Sequence, residues 1–174
     1  MRRTLVTFAA GFLLWVIVSQ LNHSLAPWRI YLWVGGLFIT HAALMLPLRC
    51  GLAASLLVGL LLDASAPVTF GTHLLLFAIG HGVIFHLRDR LPREETTARV
   101  IIALFANLAL LLVLSFVLIQ RGPAPAAVWP RIIFDLVCSQ VFLAVVAPWF
   151  FALQARTLDL TESIADAYDR RYDT

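Results

Sequence analysis

The sequence predicts an all-α, polytopic membrane bundle of about six transmembrane helices with both ends on the cytoplasmic side, and three observations carry that expectation. Hydrophobic residues make up 61% of the 174 and charged residues only 13%, a balance far from that of water-soluble domains. Apolar windows of roughly 15 to 22 residues follow one another with short polar breaks, leaving no stretch for a separate soluble domain. Every basic residue is an arginine, and the arginines lie between the windows rather than in one tract. That pattern reads as topology signals and argues against a nucleic-acid surface.

The windows fall at about 4–21, 28–47, 50–66, 70–87, 98–119 and 130–153. The first has the charged start of a secretory signal, but its apolar run reaches Leu21 with no small-x-small site after it, so it is expected to stay as a helix. The second is aromatic-rich, "PWRIYLWV". The third is the weakest: its strictly apolar stretch, Gly51 to Leu62, gives ~18 Å of helix against a hydrocarbon core of ~30 Å. The segment 120–131, "QRGPAPAAVWPR", is a proline-rich turn. Residues 1–153 thus form one transmembrane domain. Residues 154–174 form a tail, expected to hold a short amphipathic helix that starts at Asp159 and Glu162 and places Leu160, Ile164 and Ala167 on one face.

With the first residue inside, ten arginines (2, 3, 49, 88, 90, 93, 99, 156, 170 and 171) face the cytoplasm, and three (29, 121 and 131) face outward. The positive-inside rule favours that orientation, and Trp28 and Trp129 suit the interfacial aromatic belt. Cys50 and Cys138 lie far apart with no CxxC spacing, so neither a disulfide nor a metal site is implied.

Polar residues inside such a chain are costly and therefore informative. Gly51, Ser55, Gly59 and Asp63 recur every fourth position and form one helical row, the first three small enough to let another helix backbone come close. This row is a candidate helix-packing or partner interface. Asp63 ends it near the outer interface, at the expected depth of His73 and Asp135, and these three are expected to form an outer hydrogen-bonded cluster. His41, His81 and Asn107 share an inner depth. Hydrogen bonding between helices is their leading reading, ahead of proton or ion handling and of a metal, for which the spacing supplies no compact ligand set. Gln140 and Ser115 fit the same role. No GxSxG, HExxH, Walker A or CxxC pattern occurs, so the expectation is a non-enzyme without cofactor or metal. An intramembrane hydrolase would need a serine or carboxylate within reach of a histidine in a hydrated cavity.

The run "LPLRCGLAASLLVGLLLDASAPVTFGTHLLLF" resembles the MreD family, the rod shape-determining membrane proteins of bacteria. The resemblance rests on Leu46, Pro47 and Arg49, on the Gly51-x(7)-Gly59-Leu60-Leu61-x-Asp63 pattern and on Phe70-Gly71; it covers 27–77 by motif and the rest by span count. One departure stands out: the family often reads Arg-Pro-Asp before its second helix, whereas this chain reads "SLAPWRI". The resemblance implies a scaffold of the cell-wall elongation machinery in the bacterial cytoplasmic membrane. Its partners would be a bitopic MreC-like protein and, through it, MreB, the penicillin-binding transpeptidase and the RodA-type polymerase. The alternative is a substrate-binding subunit resembling the six-helix S component of a vitamin transporter, with the outer polar cluster lining its pocket.

Overall fold

In the computed structural model, which describes residues 2–66, 68–91, 95–119 and 125–172, the chain is all-helical, with no strand among the described residues. Six α-helices follow in order: α1 (Arg2–Leu25), α2 (Gly35–Met45), α3 (Leu48–Ser65), α4 (Thr72–Leu87), α5 (Thr96–Ile119) and α6 (Pro125–Tyr172). Side chains are described at neither residue 2, residues 125–127 nor residues 162–174. Four segments are long and apolar enough to cross a membrane: Arg3–Trp28, Leu48–Ser65, Thr96–Ile119 and Val128–Thr161.

The doubtful third window is a full helix of 18 residues, ~27 Å long. Leu48–Cys50 before the apolar stretch and Asp63–Ser65 after it complete the turns that hydropathy alone left out. Pro47 stands at its N-cap, where a missing N–H is harmless.

The second window is not one helix, contrary to expectation. A short 3-10 turn over Ala26–Trp28 leads to residues 30–34 without helical structure, and only then does the 11-residue α2 begin. The last window and the tail are also different: α6 is a single helix of 48 residues, so no new helix starts at Asp159. Thr157 and Thr161 donate their hydroxyls to the carbonyls of Gln154 and Thr157, one turn back along the same helix. Ile164 and Ala167, part of the expected amphipathic face, lie outside the residues whose side chains are described, as do five of the counted arginines, at 2, 93, 121, 170 and 171.

Helix α2 is the centre of the bundle. Every residue from Gly35 to Leu44 is buried, as expected for a helix that is apolar on all sides and enclosed by protein. α5, α3 and α4 surround it. The glycines sit where backbones meet: a Cβ on Gly36 would collide with the main-chain nitrogen of Asn107 on α5, one on Gly51 would lie 2.5 Å from the Ala42 carbonyl oxygen, and one on Gly59 2.9 Å from the Leu74 Cα. The outer faces of α5 and α6 present large apolar side chains, among them Phe105, Phe116, Val141 and Val145, and Trp149 is 82% exposed. Thr4 donates to the Cys50 carbonyl and Arg88 to that of Leu46, both at 3.4 Å. These bonds gather the starts of α1 and α3 and the end of α4 at one basic end of the bundle.

Candidate functional site

Residues 31–34 and the open first turn of α2 at Gly35 and Gly36 pose the main chemical problem of the fold. Outside a helix, main-chain N–H and C=O groups within an apolar bundle need partners, and non-helical backbone at membrane depth is tolerated only where protein supplies them. Here they come from side chains of three helices. Asn22 on α1 pairs with Leu32 twice: its Oδ1 accepts the Leu32 N–H at 2.7 Å and its Nδ2 donates to the Leu32 carbonyl at 2.9 Å. Asn107 on α5 accepts the Gly36 N–H and donates to the Trp33 carbonyl, each at 3.1 Å. From α6, Ser139 Oγ accepts the Trp33 N–H at 2.9 Å, and Asp135 Oδ1 accepts the Tyr31 N–H at 3.1 Å. Side-chain amides are suited to this because one group both donates and accepts.

Asp63 makes a second polar centre at the same end of the bundle. Its Oδ1 accepts the His73 N–H at 2.8 Å and the His73 Nδ1–H at 2.9 Å, while Oδ2 accepts the N–H groups of Gly71 at 2.9 Å and Leu74 at 3.1 Å. A carboxylate thus caps the start of α4, where orphan N–H groups and the helix dipole both favour negative charge. Gly71, the N-cap, has φ 95°, which glycine adopts without strain. No atom lies within 4 Å of where its Cβ would be, so conformation rather than crowding calls for glycine.

Asp63 and His73 therefore meet as expected, but Asp135 does not join them. It serves Tyr31 and accepts from Arg131 Nε at 3.3 Å, one turn away on α6. Shared depth brought these three residues to one level without specifying which sides of their helices face each other. The inner trio also divides. Asn107 is taken up by the unwound segment, and His81 Nδ1 lies 3.0 Å from Ser55 Oγ. His41 stacks on Phe151 with ring centroids 6.1 Å apart, and neither of its ring nitrogens has a hydrogen-bond partner.

The row of Gly51, Ser55 and Gly59 is buried and already covered by α2 and α4 of the same chain, so the expectation that it could be a partner interface is corrected. Its role is internal helix packing. The Ser55–His81 pair is the serine–histidine contact that a hydrolase would need, but Ser55 is 1% and His81 0% exposed, and the described cavity reaches neither. Of the motif residues, Pro47 caps α3, Asp63 and Gly71 build the α3–α4 connection, and Arg49 is exposed at the basic end. Among the described residues no group of three or more His, Cys, Asp or Glu side chains could hold a metal.

A cavity of about 240 Å³ lies where the unwound segment faces α1, the end of α3 and the start of α4. Trp15, Tyr31, Trp33, Phe38, Ser19 and His73 contribute to its wall. Asn22 and Ser139, central to this end of the molecule, were not foreseen. The available signal was that "YLWVGG" combines β-branched and aromatic residues with a glycine pair, a poor helix start inside an otherwise apolar window. Compared with known protein families, curated proteins and solved structures, the chain has no match.

Proposed function

We propose that this chain is a non-enzymatic membrane scaffold resembling the MreD family, acting in cell-wall elongation and rod-shape maintenance in the bacterial cytoplasmic membrane. The observation that carries the reading is the architectural use of the motif run: Pro47, Gly51, Gly59, Asp63 and Gly71 all form the α3–α4 hairpin and its seat against α2. A motif of that kind preserves a shape for others to bind rather than a reacting centre. Because the small-residue row is covered, the partner surface is assigned to the outer apolar faces of α1, with Phe12, Leu13 and Ile17, and of α6, with Val141, Val145 and Trp149. A single-span MreC-like helix would dock there through close van der Waals packing, linking the chain indirectly to MreB, the transpeptidase and the polymerase.

The six-span, N-in arrangement belongs to the same proposal. Five non-helical residues at no more than ~3.3 Å each and eleven of helix at ~1.5 Å each give residues 30–45 a reach of at most about 33 Å, enough for the ~30 Å hydrocarbon core. The unwound segment thereby lets a short α2 complete a crossing. Deleting the gene and measuring cell width tests the function: loss of rod shape, restored by the intact gene, is expected, and unchanged width under all growth conditions overturns it.

A further inference from the structure

The cavity beside the unwound segment has the features of a small ligand site, and the scaffold role does not use them. Its rim includes the exposed Ser19, Tyr31 and Ser65, so it opens to the surroundings. At about 240 Å³ it is smaller than the ~300–1,000 Å³ of drug-sized pockets. With ~30 Å³ for each water in the liquid, it would admit a molecule of about eight to ten non-hydrogen atoms.

The wall chemistry narrows the class. Among the described residues no arginine or carboxylate lines the cavity, and Trp15, Tyr31, Trp33 and Phe38 supply aromatic surface. Beside the hydroxyls of Ser19, Tyr31 and Ser65 and the Asn22 amide already paired with Leu32, the wall holds the imidazole of His73. Asp63 already accepts three main-chain N–H groups, an arrangement that suits the ionised carboxylate, so at the fourth contact Nδ1 is the donor. In the neutral ring this pairing leaves Nε2 as the acceptor, on a side chain that lines the cavity. An acceptor with a fixed negative charge directly behind it, within aromatic walls, favours a cation that can donate a hydrogen bond. Among the described lining residues an anion would meet no guanidinium.

We infer that this cavity binds a small organic ammonium, held by a hydrogen bond to His73 Nε2 and by the aromatic side chains around it. The probe is 2-phenylethylammonium, titrated calorimetrically into the full-length protein in detergent with empty micelles as the blank. The similarly shaped 2-phenylethanol and phenylacetate serve as the neutral and anionic comparisons. Saturable binding at least about tenfold tighter for the ammonium than for either comparison is expected. His73→Asn retains a donor for Asp63 but loses the Nε2 acceptor, and should weaken binding at least about tenfold. Ser19→Phe, a change at the exposed rim, should fill the cavity and abolish binding without disturbing the bundle. The inference is overturned by no saturable heat up to about 10 mM ammonium, by equal binding of the alcohol or the anion, or by binding that survives in Ser19→Phe. None of these outcomes depends on the rod-shape reading.

Discussion

Replacing Asn107 by leucine tests whether the unwound segment depends on borrowed hydrogen bonds. The side chain is fully buried and makes two bonds, to the Gly36 N–H and the Trp33 carbonyl. Leucine has similar bulk, so the change removes the polar partners without opening a large void. Each orphaned main-chain group costs about 1–3 kcal/mol, which puts the loss of stability between about 2 and 6 kcal/mol. Gln140→Leu on α6 is the matched control. Its Nε2 donates to the Leu104 carbonyl at 3.1 Å, while its Oε1 is buried without a partner. Side-chain bonds between membrane helices average about 0.6 kcal/mol, and removing the unpartnered oxygen offsets part of that, so Gln140→Leu should cost less than about 1 kcal/mol. Equilibrium unfolding in mixed micelles, followed by tryptophan fluorescence, measures both. Equal losses, or a loss below about 1 kcal/mol for Asn107→Leu, would refute the claim that α5 holds the segment in place.

Gly59→Leu should force α3 and α4 apart, because even a Cβ would lie 2.9 Å from the Leu74 Cα; Gly82→Ala, with no atom within 4 Å, should leave the melting temperature unchanged. Asp63→Asn keeps one acceptor oxygen but turns an NH₂ group toward main-chain donors, so a loss of about 3 kcal/mol is expected in the same unfolding assay; a silent substitution would remove Asp63 from its capping role. His41→Leu removes two ring nitrogens without partners and should be neutral or stabilising by thermal melt, whereas a marked loss would mean that the imidazole has a polar role. Disruption of Val141 and Val145 together by tryptophan should abolish co-purification of an MreC-like partner while leaving the melting temperature unchanged; intact capture would move the partner surface elsewhere.

Hydropathy located α3, α4 and α5 to within about two residues at each end, because their apolar runs are bounded by Pro47, Gly71 and the arginine-bearing turn after α4. It could not detect the break at 30–34, since a sliding sum of apolar residues has the same value for a helix and for an extended strand of the same composition. Helical spacing identified the small-residue row but not its occupant: Gly59 meets Leu74 and Gly51 meets Ala42, contacts that depend on how the helices turn toward each other. The Asp63–His73 pair was legible because one short connection joins the ends of their helices. Asp135 was misplaced because its true neighbour, the Tyr31 N–H, is a main-chain group 104 positions away and carries no sequence signature.

The dependence of residues 31–36 on later parts of the chain also bears on the order in which the protein is built. Asn22 precedes them, but Asn107, Asp135 and Ser139 follow by 71 to 106 positions. A ribosome delivers the segment first, and exposed main-chain groups in hydrocarbon cost several kcal/mol each. If residues 30–45 cross the membrane as proposed, during synthesis they are driven either to complete their own helix or to wait at the interface. On that reading the unwound form belongs late in assembly, once α5 and α6 have arrived with the replacement partners.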